Sequence, residues 1–191
     1  MRLLEERILK DGKVRPGGIL KVDGFLNHQM DVNLFMDLAK QWRDAFAADD
    51  VNKILTIEAS GIGLACIAGL VFECPVVFAK KSKTKNIDGS LYKTTVESFT
   101  HGNIYDVIVS RDYLLPTDRV LLIDDFLANG AALAGLCDLV SQSGATLVGA
   151  GIAVEKCFQP GGAMLRNRGL RIESLARVKA MYDDGSIEFE D

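Results

Sequence analysis

Residues 119–133 read RVLLIDDFLANGAAL, and the rest of the chain is organised around them. Residues 120–123 form an unbroken apolar run, the pattern of a strand buried on both faces of a parallel sheet. Asp124 and Asp125 close the run, where an ionised side chain has to leave the core or meet a partner. Ala128, Asn129, Gly130, Ala131 and Ala132 follow and lead into a helical pattern through Leu133, Leu136, Leu139 and Val140. A helix N-terminus offers unpaired backbone N–H groups and the positive end of a dipole, and small side chains let an anion come close. Two carboxylates beside such a cradle suit a sugar with vicinal hydroxyls and a phosphate on its primary carbon. The stretch reads as a ribose 5-phosphate site, although strand–turn–helix units are also the ordinary building blocks of α/β folds.

No Lys-Ser/Thr follows Gly130, which disfavours a Walker-type triphosphatase. Four apolar residues, two acids and a small-residue loop closely resemble the phosphoribosyl diphosphate (PRPP) signature of the type I phosphoribosyltransferases. The resemblance implies that family's α/β fold, a central parallel sheet flanked by helices with a small hood. Within a single domain of 191 residues it places the core at about 36–156 and the hood at about 1–35 and 157–191.

Composition is compatible with one such domain. Apolar residues make up 48% and charged residues 25%, and the net charge of −4 supplies no broad field for nucleic acid or an anionic membrane. A basic site for an anionic ligand must therefore be local. Cys66, Cys74, Cys137 and Cys157 lack metal-ligand spacing and read as free thiols of a reducing compartment. No secretory pattern opens the chain, and no apolar run approaches the ~20 residues of a membrane span, so a soluble cytoplasmic protein is expected.

In chain order, residues 1–11 form a helical pattern ended by Gly12, and Pro16-Gly17-Gly18 a turn before a short strand at 19–22. Residues 24–29 read as a loop, and Asp31 caps a helix to about Ala48 with Leu34, Leu38, Trp42 and Phe46 on one stripe. Residues 53–57 are a buried strand, followed by Glu58-Ala59-Ser60-Gly61-Ile62-Gly63 and a helix through Val71. Cys66 stands where a dinucleotide fingerprint needs its third glycine. What remains is either a tight turn or a second anion cradle, and two cradles on neighbouring strand ends suit a ligand with phosphate at both ends, as in PRPP. The resemblance makes this the pyrophosphate loop, with Ser60 and Gly61 as contacts.

A strand at 75–79 leads to Lys80, Lys81, Lys83 and Lys85, the strongest basic cluster in the sequence. It reads as a solvated surface loop or as a mobile cationic flap that shields the reaction from water. In type I enzymes a hairpin at this place often sends a basic residue into the neighbouring subunit's pyrophosphate site, which implies a homodimer and makes Lys81 the candidate. Residues 91–99 and 105–110 are strand candidates, and Glu97 and His101 are either proton acceptors or solvated surface groups. After the central helix, Gly144 precedes a long strand at 146–154, which delivers Glu155-Lys156, and a short helix surrounds Leu165. Residues 178–182 and 187–189 flank a turn at 183–186.

Four segments, IDDFLANGAA, LKVDGFLNHQMD, EKCFQPGG and RIESLARV, resemble the xanthine-using branch of this family over essentially the whole chain. The resemblance implies that Leu20, Asn27 and Lys156 contact the base, that Asp124 and Asp125 hold the ribose, and that residues 128–132 hold the 5-phosphate. The donor-only ammonium of Lys156 suits a 6-oxo purine and opposes adenine. Leaving a buried donor unmatched costs roughly 1–3 kcal/mol, which disfavours adenine by an order of magnitude or more. Asn27 can donate to the 2-oxo group of xanthine, and a rotated amide can accept from guanine. Most relatives carry hydroxyls in the phosphate loop and hypoxanthine-guanine enzymes an acid at its first position. Here Ala128 stands at that position, so phosphate binding leans on backbone N–H groups and the proton acceptor is open.

The expected reaction transfers the phosphoribosyl group of PRPP to xanthine, with Mg²⁺ arriving on PRPP and few protein ligands to the metal. The alternatives are a hypoxanthine-guanine or adenine phosphoribosyltransferase, or a PRPP-sensing regulator without chemistry.

Overall fold

A computed structural model describes residues 3–82, 90–97 and 104–190. The chain runs through α1 (Leu3–Asp11), β1 (Lys13–Arg15), β2 (Ile19–Lys21), a single π-helical turn (Asp23–Asn27), α2 (Val32–Ala45), β3 (Lys53–Ile57), α3 (Gly61–Phe72) and β4 (Val76–Ser82). It continues through β5 (Leu91–Glu97), β6 (Ile104–Ser110), β7 (Arg119–Leu127), α4 (Ala131–Ser143), β8 (Thr146–Lys156), α5 (Gly161–Asn167), β9 (Ile172–Met181) and β10 (Ile187–Phe189).

Eight strands form one sheet in the order β10-β9-β8-β7-β3-β4-β6-β5, and β1 and β2 make a separate hairpin. The five strands from β9 to β4 run parallel, while β10, β6 and β5 add antiparallel edges. The expected central parallel sheet with helices on both faces is present. The C-terminal strands extend this sheet: β9 pairs with β8 from Ala150↔Ile172 to Lys156↔Val178. The N-terminal hairpin lies apart from it.

The core has two halves, one on each face. One face packs α1, α2 and α3 around Trp42, Phe35 and Phe46, and the other packs α4 through Leu133, Leu136 and Leu139 against β7 and β3. Trp42 is fully buried, as its place on the α2 stripe predicts, and its indole N–H donates to the Glu173 carbonyl at 3.2 Å. Asp31 caps α2 by accepting from the Leu34 amide at 3.1 Å. Residues 120–123 are buried completely. Each such side chain contributes about 1.5–3 kcal/mol to folding, enough to offset holding two carboxyls at the end of the run.

Several boundaries differ from the sequence reading, among them β8, which runs on to Lys156, and β9, which starts at Ile172 rather than at 178. β7 does not stop at the acidic pair but runs on to Leu127, because Phe126 and Leu127 continue the ladder with Val154 and Glu155. Lys80 and Lys81 lie within β4, paired with Ile108 and Val107, rather than in a loop after it. The loop read at 24–29 is largely the π-helical turn, which buries Phe25 and Leu26. Beyond α3, the face of β4, β6 and β5 that points away from α4 carries a groove of about 490 Å³ lined by Phe78, Leu91, Ile108 and Tyr113. Among the described residues no helix is long and apolar enough to cross a membrane.

Candidate active site

Ligands of parallel sheets bind beyond the carboxyl ends of the strands, and the residues singled out by sequence converge there. Ser60 follows β3, Asp124 and Asp125 lie near the end of β7, residues 128–130 join β7 to α4, and Lys156 ends β8. Asp124 and Asp125 are both buried, at 5% and 6% exposure.

Asp125 is the junction. Its Oδ1 accepts from the Ser60 hydroxyl at 2.9 Å, and its Oδ2 accepts from the Asn27 amide at 3.2 Å. A residue assigned to the pyrophosphate loop and one assigned to the base are thus joined through the carboxylate assigned to the sugar. Asp124 Oδ1 accepts from the Asp125 backbone N–H at 2.9 Å. Burial, and then the like charge of Asp125, pushes the Asp124 carboxyl well above its usual value, while the Lys81 ammonium opposes that rise. Gly61 permits the close fit: a Cβ there would meet the Thr56 hydroxyl and stand 2.9 Å from Asp124 Oδ1.

The small-residue loop turns at Gly130, whose φ of 84° lies in the left-handed region that favours glycine. Asn129 Oδ1 accepts from the Ala131 N–H at 3.1 Å, so an incoming anion has to compete for that donor. Gly161 packs on this loop, its N–H donating to the Ala128 carbonyl at 3.1 Å.

Lys156 is half-buried, and burial lowers its pKa. Its ammonium donates to the Gly18 carbonyl at 2.9 Å and lies 5.7 Å from the Phe126 ring centroid. It thereby ties the β1–β2 hairpin to the end of β8, with Leu20 of that hairpin buried in the core beneath. Lys81 lies 5.2 Å from the Tyr105 ring centroid, and its backbone N–H donates to the Glu58 carboxylate. Its charge acts on Asp124 of its own chain. Lys83, Lys85, His101 and the side chain of Glu97 fall outside the described residues.

Sequence reasoning missed a second polar cluster. Glu155, 2% exposed, accepts from both terminal nitrogens of Arg166 at 2.5 and 2.7 Å and from the Ser174 hydroxyl at 2.5 Å. An acid in an otherwise apolar strand was the available signal, but its partners lie 11 and 19 residues further on. Among the described residues no group of three or more His, Cys, Asp or Glu could hold a metal ion.

Residues 22–162 match the family model of the phosphoribosyl transferase domain. The chain is 55% identical over 190 residues to the xanthine phosphoribosyltransferase of Lachnoclostridium phytofermentans, covering 99% of this chain and 98% of that protein. It is 56% identical over 191 residues to the xanthine phosphoribosyltransferase of Finegoldia magna, covering 100% of both. Among solved structures, the adenine phosphoribosyltransferase of Saccharomyces cerevisiae superposes with a TM-score of 0.74 at 20% identity, over 90% of this chain and 98% of that one. At that identity the likeness speaks to the fold alone.

Proposed function

The chain belongs to the phosphoribosyltransferase family, alongside its xanthine phosphoribosyltransferases, and from that premise we infer that it transfers the 5-phosphoribosyl group of PRPP to xanthine. Nitrogen 9 of xanthine forms the new bond to the anomeric carbon as the bond from that carbon to the pyrophosphate oxygen breaks. Pyrophosphate leaves with the electron pair, the imidazole proton goes to solvent, and the product is xanthosine 5′-monophosphate. Mg²⁺ enters as part of the substrate, on PRPP.

The roles divide by place in the site. Asp124 and Asp125 hold the ribose hydroxyls, and the charge of Asp125 favours the cation that develops at the anomeric carbon. Ala128, Asn129, Gly130, Ala131 and Ala132 hold the 5-phosphate through backbone N–H groups, with the positive end of α4 behind them. Ser60, Gly61 and Lys81 face the pyrophosphate. Leu20, Asn27 and Lys156 take the base: Lys156 exchanges the Gly18 carbonyl for the 6-oxo group, and Asn27 turns from Asp125 to the 2-oxo group. Xanthine is acidic enough to react largely as its anion, which suits a loop with Ala128 where relatives carry an acid. Residues 36–156 serve as the core and the two terminal segments as the hood over the base, with β9 and β10 of the C-terminal segment continuous with the core sheet.

One observation carries this division of labour. A single buried carboxylate, Asp125, is hydrogen-bonded from one side by Ser60 and from the other by Asn27, and this convergence of the residues proposed for sugar, leaving group and base supports the reading. The test is a spectrophotometric assay of PRPP with xanthine, guanine, hypoxanthine and adenine in turn. Xanthine should give the highest kcat/KM and adenine the lowest. Turnover of adenine above xanthine would overturn the base assignment, and turnover of none would favour a PRPP sensor.

We further propose a homodimer, the state that the likeness of the Lys81 segment to the type I hairpin implies. Sedimentation at micromolar concentration should give the mass of two chains, and a monomer there would rule the dimer out.

A further inference from the structure

The phosphate loop does not stand alone. Its outer side rests on the start of α5: the Gly161 N–H donates to the Ala128 carbonyl, and a Cβ on Gly161 would collide with the Ala128 carbonyl and the Gly130 nitrogen. A Cβ on Gly130 would in turn come within 2.9 Å of the Gly161 Cα. The next residue, Gly162, lies against the carboxylate of Glu155, since a Cβ there would strike Glu155 Oε1 and come within 2.9 Å of an Arg166 nitrogen. Arg166, on the last turns of α5, forks onto both oxygens of that carboxylate. Ser174 on β9 donates to it as well, and Arg177 lies 3.9 Å away. Contact therefore runs unbroken from a buried carboxylate and its part-exposed arginine, through a seven-residue helix, to the main chain of residues 128–130.

We propose that Glu155 and Arg166 are positioning residues for the 5-phosphate loop, acting through α5, which they lock against residues 128–130. The inference rests on the assignment of that loop to the 5-phosphate. Its physical basis is that a cradle of main-chain donors has no side-chain rotamers with which to adapt, so its donors point correctly only if the chain is held from behind. A bidentate arginine–carboxylate pair suits that task, because two parallel hydrogen bonds fix orientation as well as distance. Burial alone would push the Glu155 carboxyl up, but the hydrogen bonds from Arg166 and Ser174 and the arginine charges more than offset this, leaving it below its usual value.

The experiment compares Arg166→Lys, Arg166→Met and Gly161→Ala with the parent in steady-state kinetics, varying PRPP and xanthine separately. Gly161→Ala leaves the ion pair intact and presses a methyl group on the loop. Arg166→Lys keeps the charge but loses the fork. Gly161→Ala should raise KM for PRPP by about tenfold or more, with kcat at saturating PRPP and KM for xanthine changed by less than about threefold. Arg166→Met should do the same, and Arg166→Lys should recover part of the loss. Should Arg166→Met fail to fold, as circular dichroism would show, Gly161→Ala and Arg166→Lys decide the matter between them. An unchanged KM for PRPP in both, or equal rises in KM for the two substrates, would overturn the proposal. Calorimetric titration with ribose 5-phosphate separates the two levels. A parent that binds it without turning over xanthine refutes the reaction, whereas variants that bind it as tightly as the parent refute the positioning role.

Discussion

Replacing Asp125 by asparagine changes one atom at the point where three parts of the site meet. The parent carboxylate accepts a hydroxyl hydrogen from Ser60 at 2.9 Å and an amide hydrogen from Asn27 at 3.2 Å. An asparagine can keep its oxygen toward Ser60, but its NH₂ then faces the Asn27 NH₂, donor to donor. One lost hydrogen bond costs about 0.5–1.5 kcal/mol. Removing the like charge that helps push Asp124 up works in the opposite direction. The net change in folding free energy should stay within about 1 kcal/mol, or roughly 2–4 °C in Tm for a chain of this length. Catalysis has no such offset. If the carboxylate grips two ribose hydroxyls and the amide holds neither, two hydrogen bonds to a charged acceptor, ~1.5–3 kcal/mol each, are lost. The sum of ~3–6 kcal/mol corresponds to a fall in kcat/KM of about 10²–10⁴. The assay is the ultraviolet absorbance change as xanthine is phosphoribosylated, with a thermal melt of the same preparation. A kcat/KM within about threefold of the parent would refute the role, as would a Tm lowered by ~10 °C or more, since unfolding would then account for the loss.

Asp124 gives a pH prediction. Its carboxyl titrates above its unfolded value of about 3.9 because it is buried and stands beside Asp125, so the folded chain holds a proton that the unfolded chain has released. Stability should therefore fall as pH rises above about 4. Asp124→Asn should flatten that fall, raising Tm over the parent at pH 7–8 and leaving it alike at pH 4; equal melting profiles would contradict the burial argument. Lys156→Met should lower kcat/KM for xanthine by about 10–100-fold, the value of a lost donor to a buried acceptor, while narrowing its advantage over adenine in the four-purine assay. Burial pushes the Cys137 and Cys157 thiols up to about 11. At pH 8 an aromatic disulfide reagent should label exposed Cys66 first and those two last, as peptide mapping would reveal.

The parallel core was legible because β3, β7 and β8 are buried on both faces, so their sequences are near-continuous apolar runs broken by small-residue turns. The acidic pair was legible for the complementary reason: charge has no place in such a run without a use. The extent of β9 was only partly legible: residues 178–182 read as strand, whereas β9 starts at Ile172, where its residues answer to partners far away. Ser174 reaches back to Glu155, and Arg177 pairs with Glu190. Lys80 and Lys81 misled in the opposite direction, since β4 beyond Ala79 has left its pairing with β3 and accepts exposed lysines on both faces, as a loop would. No local pattern announces that Asn27 and Asp125, 98 positions apart, share a hydrogen bond. Leu20, Asn27 and Lys156 came from family likeness, and the structure supplies their surroundings.

Gly130 turns through a left-handed backbone angle and residues 128–132 carry no hydroxyl. If these residues hold the 5-phosphate as proposed, recognition there resides in the path of the chain and scarcely in the letters that spell it. Evolution is then free to exchange alanine for serine at the rim and restricted wherever two glycines touch. Distant kin would keep the curve after losing the spelling, and superposition would find them where alignment fails.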